Sequence, residues 1–494
     1  MEHTLKDNVE LIRMSFSFFT AELILLSGIL LTILAGLSFP KKEKLFHVLV
    51  LLILCACSIV VVFQWPVFVQ PRSLFTGMLQ ADQFTAYLKL LFLISGILTV
   101  VMTWRREPSQ QRLPEYYALI LAIVLGAHLL VMSSNFAITF IALELISISS
   151  YVLAGFAFNK TATEGSLKYF IFGSVASAVM LYGLSFLYGM TGTLMFTSPV
   201  FAEKLTELNS PLFFVAGVLT LSGFLYKIAA APFHPWAPDV YEASPMPIVA
   251  FFSVVPKLAG IGILTKFIAI INLFGESAYD WQLILSGIVM LTLTVGNFSA
   301  LWQKSPKRLM AYSSIAQSGF LLVGVTAFIP QGLHYMLFYA TVFVLLNFVV
   351  FIYLQYFEDR GLNTVASYSG IGKYVAWPAF FMLVGFVGLT GLPPTAGFTA
   401  KLFIFSSLWE AYHLSGKSFL LILLVFGLLN TVVSLFYYLR IPYYAFIKSR
   451  ETTFISNNLT FENFLGLILV LGILLLFFRP GLLMGWINKI NFAF

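Results

Sequence analysis

The fold is decided by the stretch "SGFLYKIAAAPFHPWAPDVYEASP", residues 222–245, which follows the largely apolar run "PLFFVAGVLTL". Hydropathy puts that run inside a lipid bilayer, yet the stretch then contains Lys227 and His234, with Pro232, Pro235 and Pro238 around the histidine. A charge at bilayer depth is costly, and proline removes a backbone hydrogen bond from a helix. The stretch therefore predicts a membrane helix that breaks beside a buried titratable group.

The rest of the chain has the composition of an integral membrane protein. Its 494 residues are 60% hydrophobic and 10% charged, with a mean hydropathy of +0.93. Apolar runs of about 20 residues, the length that crosses a bilayer, recur and leave short polar connections. We expect an all-α polytopic membrane protein without a sizeable aqueous domain. Its 14 transmembrane helices are predicted with centres near residues 29, 54, 93, 124, 146, 178, 221, 258, 291, 318, 345, 393, 430 and 469.

Several kinds of segment and site are not indicated. The first fourteen residues carry both charge signs and no cleavage site follows them, so we predict a retained first helix and not a signal peptide. Cys55 and Cys57 lie in one apolar run and are interpreted as small buried hydrophobes. The glycine patterns of dinucleotide and phosphate-binding loops are incomplete. We expect no cofactor and no metal in this chain.

The distribution of lysine and arginine among the loops indicates how the chain is oriented in the membrane. The loops after odd-numbered spans hold sixteen of these residues, and the termini and other loops hold eight, Lys266 among them. Because cytoplasmic loops are enriched in both residue types, both termini are expected on the non-cytoplasmic side. Amphipathic pieces around 70–80, 198–208 and 362–374 are expected at the interfaces. The same bias explains much of the net charge of +7, so nucleic-acid binding is not indicated.

A few charges fall inside the predicted spans. Lys89 lies nearest a helix end and is expected to snorkel to the headgroups. Lys227, Lys257 and Lys401 lie deeper, and Glu144 lies near a helix midpoint. They form either static ion pairs or a proton relay. The absence of arginine from this set favours the relay, because arginine stays charged.

Three histidines near or within the spans are weaker candidates, whereas Glu22 merely lies at the very start of the first helix. His128, His234 and His334 are either structural histidines or proton shuttles, since histidine titrates close to neutral pH.

Proline recurs beside a second buried lysine. In "GLPPTAGFTAKLFIF", Pro393 and Pro394 precede Lys401, whereas Pro232 follows Lys227. Each of the two lysines therefore lies close to proline in the sequence. Helices 7 and 12 are therefore predicted to be broken, and their odd offset predicts two inverted five-helix repeats, helices 4–8 and 9–13. We expect a single membrane domain, 1–494, with helices 1–3 at 15–114, repeats at 115–272 and 281–447, and helix 14 at 460–478.

Five stretches carry a resemblance to a known family: "LELISISSYVLAGF", "EGSLKYFIFGSVASAVMLYG", "KIAAAPFHPWAPDVYEASPMPIVAFFSVVPK", "KRLMAYSSIAQSGFLLVG" and "GLPPTAGFTAKLFIF". They resemble the subunit N family of the bacterial proton-pumping NADH:quinone oxidoreductase, respiratory complex I, an antiporter-like membrane subunit. The resemblance implies that Glu144 and Lys227 form a switchable ion pair. It also implies that Lys257 passes the proton on and that Lys401 governs its release or transfer.

One departure from the family concerns Gln317, where members often have histidine. Glutamine cannot carry a net proton, so a water chain or another group must bridge Lys257 and Lys401. The resemblance further implies a bacterial inner membrane location and partners among the other membrane-arm subunits and lipids. NADH, FMN, iron–sulfur clusters and quinone would then bind in partner subunits. The alternatives are a subunit of a multi-subunit sodium/proton antiporter and a structural scaffold with static charge pairs.

Overall fold

The protein is built almost entirely from helices. The computed structural model describes residues 2–105, 112–207, 211–273, 280–449 and 461–492. The helices are α1 Glu2–Phe18, α2 Thr20–Ser38, α3 Glu43–Gln64, α4 Gln83–Arg105, α5 Leu113–Met132, α6 Phe136–Ala154, α7 Lys160–Thr191, α8 Pro199–Glu207, α9 Pro211–Lys227, α10 Trp236–Ala243, α11 Met246–Leu273, α12 Trp281–Leu301, α13 Pro306–Thr326, α14 Pro330–Glu358, α15 Ala376–Thr390, α16 Ala396–Ser415, α17 Ser418–Tyr438, α18 Arg440–Phe446, α19 Phe461–Phe478 and α20 Gly481–Ile487.

Most of these helices are long and apolar enough to span a bilayer. Within the described ranges twelve meet that criterion, and α9 and α15 are shorter apolar helices. The all-α polytopic class predicted from the sequence is confirmed. The number of crossings and the inverted repeats stay predictions, as do the domain boundaries, of which residues 1, 460 and 494 lie outside the described residues.

Both predicted helix breaks are present. Helix α9 ends at Lys227, ahead of Pro232, and α10 begins only at Trp236. Helix α15 ends at Thr390, and α16 begins at Ala396, beyond the Pro393–Pro394 pair. Proline cannot donate the hydrogen bond that would continue either helix. Each break leaves backbone carbonyls at a helix end that need another donor.

The chain divides into two compact units. Unit 1 comprises Met1–Ile228, Ala243–Trp281 and Ile490–Phe494, and unit 2 comprises Ala229–Glu242 and Gln282–Lys489. In unit 1, α5 packs against α2, α4, α6 and α11. In unit 2, α14 packs against α13, α15, α16 and α19. Helices α11 and α14 are almost wholly buried, whereas α2, α17 and α19 expose apolar side chains along much of their length.

Three local features differ from the sequence-based expectations. Helix α1 precedes the predicted first span as a separate helix. The piece around 70–80 forms a hairpin in which β1, Arg72–Leu74, pairs antiparallel with β2, Leu79–Ala81. Cys57 is buried as expected, but Cys55 is exposed, because residues two apart on a helix lie on different faces.

Candidate functional site

Glu144 and Lys227 lie close together in unit 1 but do not form an ion pair there. Asn135 caps the start of α6 by accepting from Ala137 N at 2.9 Å, and Glu144 lies half-buried in the middle of that helix. Glu144 Oε1 accepts a hydrogen bond from the hydroxyl of Ser177 on α7. Lys227 Nζ instead donates to Ser147 Oγ at 3.0 Å. The structure thus brings Lys227 of α9 to the face of α6 that carries Glu144, and each of the two side chains contacts a serine.

Ser147 is the residue that sequence reasoning missed at this site. It stands three residues after Glu144, so its hydroxyl and the carboxylate share a helix face about 4.5 Å apart along the axis. The Ser147 hydroxyl donates to Leu143 O at 2.7 Å, which leaves its lone pair for Lys227. A Glu-x-x-Ser pattern inside a membrane span is the sequence signal that could have indicated a second acceptor.

The position of Lys227 follows from the end of its helix. Lys227 is the last residue of α9, and Ala229 two residues later has a left-handed φ of 56°. The carboxyl end of a helix carries unpaired carbonyls and a partial negative charge, which favours a cation. The break that Pro232 imposes therefore supports the buried ammonium next to it.

Lys257 lies in unit 1 on α11, immediately after Pro256, and is buried. Its Nζ has no hydrogen-bond partner among the described residues. Pro256 withholds one backbone hydrogen bond from the helix, which leaves a carbonyl of the preceding turn without its usual donor. Burial of an ammonium without an acceptor is costly. Lys227 and Lys401 are also buried, but each of them donates to an oxygen.

Lys401 fills the second helix break. Its Nζ donates at 2.8 Å to the carbonyl of Thr390, the last residue of α15. The same ammonium stands 4.3 Å from the ring centroid of Phe320, a favourable cation–π contact. Gly391 completes the turn with φ +86°, and a Cβ there would meet Lys401 Cδ at 2.7 Å. The turn therefore needs glycine both for its backbone and for the lysine that crosses it.

Gln317 lies buried in unit 2 between two tyrosines that the sequence analysis did not single out. Its amide donates to Tyr438 OH at 2.9 Å and to Leu389 O at 3.2 Å. Its carbonyl oxygen accepts from Tyr339 OH, and Tyr438 OH also contacts Ser313. Buried tyrosines in apolar spans usually have such partners. Gln317 is thus the centre of a hydroxyl network.

Residues 229–242, the centre of the opening stretch, are fixed within unit 2. Ala231 N donates to Thr292 Oγ1 at 3.1 Å. Arg308 Nη1 donates to Asp239 Oδ1 at 2.9 Å and to Glu242 Oε2 at 2.8 Å. The broken segment is therefore held at both ends by side chains of α12 and α13.

The three candidate histidines have different surroundings. His234 is half-buried in the break, and its Nδ1 has no partner among the residues that the structure describes. His334 lies half-buried in the first turns of α14. His128 is fully buried in α5, and its Nδ1 donates to Glu22 Oε1 at 2.9 Å. His128 thus contacts a charged side chain.

Two lysine interpretations were wrong. Lys89 does not snorkel, because its side chain is 1% exposed and its Nζ pairs with Glu22 Oε1 at 2.7 Å. Lys266 is not a loop residue, because α11 runs on to Leu273 and buries the side chain to 1% exposure. The excess of cations in the loops after odd-numbered spans remains without it. Lys89 pairs with a residue that is distant in the sequence. Lys266 is buried because α11 continues to Leu273.

Comparison with known proteins places most of these residues in a shared region. The family model described as "NADH:quinone oxidoreductase/Mrp antiporter, TM" matches residues 133–429. NADH-quinone oxidoreductase subunit N 2 of Sorangium cellulosum is 37% identical over 89% of this chain and 89% of its own length. Subunit N of Chlorobium chlorochromatii is 34% identical over 95% of this chain and 94% of its own.

Solved structures agree with the family match. A chain of respiratory complex I from Thermus thermophilus has a TM-score of 0.79 and 29% identity, and the alignment covers 95% of this chain and all of that one. A chain of the Mrp complex from Dietzia sp. has a TM-score of 0.82 at 17% identity over 95% of this chain and 96% of its own. The second likeness concerns the fold alone.

Proposed function

The chain belongs to the NADH:quinone oxidoreductase/Mrp antiporter family, with subunit N relatives, and on this premise we propose that it moves protons across the membrane as a membrane-arm subunit. Quinone reduction elsewhere in the complex would supply the energy. The observation that carries the proposal is the buried lysine at each helix break. Lys227 and Lys401 each hold their ammonium on a single neutral oxygen and not on a carboxylate.

A neutral acceptor matters for proton transfer. A lysine that is locked to a carboxylate is held as a cation, whereas one on a hydroxyl or carbonyl oxygen can lose its proton without leaving a bare anion behind. At Lys227 the ammonium can move between Ser147 and Glu144, which are one helical turn apart. We propose that pairing with Glu144 loads the site and that return to Ser147 lets the proton leave.

The other candidate residues have supporting roles in this proposal. Lys257, with no acceptor among the described residues, would exchange its proton with water. Lys401 would control release, and Gln317 would order hydroxyls without carrying charge. His234 and His334 are secondary candidates for proton entry or exit.

The proposed partners and location follow from the relatives. The chain would assemble with other membrane-arm subunits in a bacterial inner membrane, with both termini on the non-cytoplasmic side. NADH, FMN, iron–sulfur clusters and quinone would bind in partner subunits. Within the described residues no group of three His, Cys, Asp or Glu side chains could hold a metal ion.

A sodium/proton antiporter subunit is the alternative with the same fold. Purification of the intact complex separates the two: flavin and iron–sulfur clusters that co-purify support the oxidoreductase, and an intact complex without them contradicts it.

The relay itself is tested with Lys227→Ala in inverted membrane vesicles that contain the assembled complex. We expect NADH oxidation to continue while proton uptake per NADH falls. Exposed Lys448 provides the control, and Lys448→Ala should leave the ratio unchanged. An unchanged ratio in Lys227→Ala would remove Lys227 from the mechanism.

A further inference from the structure

A second group of buried ionisable side chains lies in unit 1, outside the region that the family model matches. Lys89 Nζ and His128 Nδ1 both donate to the same carboxylate oxygen, Glu22 Oε1, at 2.7 and 2.9 Å. All three side chains are at most 1% exposed. Helices α2, α4 and α5 thus each supply one member of what we term the Glu22 cluster: Glu22, Lys89 and His128.

The cluster has spare proton-binding capacity. Glu22 Oε2 and His128 Nε2 are buried and have no hydrogen-bond partner among the described residues. Most buried polar atoms in proteins are paired, so two unpaired atoms in one cluster single it out. A static ion pair needs neither the imidazole nor the second carboxylate oxygen.

Two further ionisable groups, Asp82 and Lys266, extend the cluster toward the start of α4. Asp82 immediately precedes α4, where its Oδ1 caps the helix by accepting from Thr85 N at 2.7 Å. It lies two turns, about 10 Å, before Lys89 on the same helix. Lys266 lies on α11, which packs against α4. Asp82 Oδ2 and Lys266 Nζ are also buried without a partner among the described residues.

All five groups lie toward one membrane face. Helices α2 and α4 begin close to Glu22 and Asp82, and α5 ends four residues after His128. Consecutive spans run antiparallel, so the starts of α2 and α4 and the end of α5 share a face. Gly262 of α11 packs against Leu88 and Val131, which puts Lys266, one turn later, toward that same face.

Helix α11 separates this cluster from the site proposed above. Gly260 packs against Ile228 and Lys227, whereas Gly262 packs against α4 and α5. Lys257 and Lys266 are nine residues apart, which is two and a half turns, so they point to opposite sides of the helix. The two sets of ionisable groups therefore lie on opposite faces of one helix.

We propose that the Glu22 cluster is a second proton-carrying site, reached through Asp82 and Lys266 from the membrane face at which α4 begins. At rest, Glu22 is negative, Lys89 positive and His128 neutral, with its proton on Nδ1. A hydrated proton forms a new N–H bond at Nε2 and leaves water behind. The cluster then has a net charge of plus one, and the reverse step returns the proton. Cys57, which donates to Ala21 O at 3.5 Å, is the titratable group that faces the cluster from α3.

This inference rests on the proposed function, because it assigns an access point to the same proton movement. The decisive variant is Glu22→Gln with Lys89→Met in the assembled complex, with proton uptake per NADH measured in inverted vesicles. A buried ion pair replaced as a pair by neutral residues is often tolerated, so the complex should assemble. We expect uptake per NADH to fall at least twofold while NADH oxidation persists.

The matched control is Thr99→Val on α4. Thr99 is fully buried, and its hydroxyl donates only to Ser95 O of its own helix. Its replacement disturbs the same core without removing a titratable group, so proton uptake per NADH should stay unchanged.

Lys266 provides the second test if the double variant does not assemble. Its ammonium bonds to none of the described residues, so Lys266→Met removes no hydrogen bond. We expect Lys266→Met to lower proton uptake per NADH and Lys266→His, which keeps a titratable group, to restore it. Normal uptake in Lys266→Met, or in the double variant, overturns the inference. If Lys227→Ala lowers proton uptake per NADH while these variants do not, only this inference fails; if Lys227→Ala also leaves the uptake unchanged, the relay through Lys227 in the proposed function fails with it.

Discussion

Lys227 donates to Ser147 and not to Glu144, although the two acceptors stand one turn apart on the same face of α6. The ammonium therefore has two possible oxygens within a short displacement. One is neutral, and the other is a carboxylate that already accepts from Ser177. An ion pair that can open onto a prepared neutral acceptor costs less to break than one that opens onto apolar side chains.

Replacement of Ser147 tests this relationship. In Ser147→Ala the ammonium loses its acceptor, at a cost of about 1.5–3 kcal/mol for a hydrogen bond to a charged group. We expect Lys227 to shift onto Glu144 and to stay there, and proton uptake per NADH to fall in assembled vesicles. Ser147→Thr keeps the hydroxyl and should retain uptake. Equal uptake in the alanine and threonine variants would contradict a role for the hydroxyl.

Lys401→Arg separates charge from proton exchange. Arginine can donate to the Thr390 carbonyl and stack on Phe320, but it does not give up its proton. We expect a complex that assembles normally, oxidises NADH and pumps poorly. Wild-type uptake by this variant would show that Lys401 acts only as a fixed cation at the end of α15.

Gln317→Leu should destabilise unit 2. The substitution removes the acceptor of Tyr339 and one donor to Tyr438, which keeps its contact with Ser313. The Tyr339 hydroxyl is then left unpaired, at a cost of about 1–3 kcal/mol. Thermal unfolding of the purified complex should begin at a lower temperature. Gln317→His can still accept and donate, and we expect its unfolding temperature to remain close to that of the parent. The same loss in both variants would count against the hydroxyl network.

Arg308→Gln should loosen residues 229–242, the segment whose Asp239 and Glu242 bind the guanidinium. Arg308 is 30% exposed and binds two carboxylates, so its contribution is modest, about 1 kcal/mol for a partly exposed pair. Hydrogen–deuterium exchange should increase in α10 and not in α5. Arg308→Lys should give an intermediate effect, since a lysine cannot reproduce the geometry of the guanidinium. Unchanged exchange in α10 would show that other contacts hold the segment.

The helical class and both breaks could be predicted because they depend on local patterns. Apolar runs of bilayer length and prolines beside Lys227 and Lys401 are visible in the sequence itself. The partner of Lys89 could not be predicted, because Glu22 is 67 residues away and nothing in either segment signals the other. A lysine near a predicted helix end was interpreted as exposed, and tertiary packing buried it.

Helix boundaries produced the other error. Lys266 was counted with the loop residues that follow the span centred near residue 258, but α11 extends two turns beyond it. The serine and tyrosine partners of Lys227 and Gln317 escaped notice for a different reason. Neutral hydroxyls in a membrane span are common, so only their position beside a charge distinguishes them.

The two glycines of α11 bear on how well the protein holds back protons when it is idle. Gly260 and Gly262 let neighbours approach the helix backbone closely, Ile228 and Lys227 at the first and Leu88 and Val131 at the second. A larger side chain at either glycine would push a neighbour away from the faces of α11 that carry Lys257 and Lys266. We therefore expect such a substitution to increase leak, measured as the decay of a preformed pH gradient without NADH.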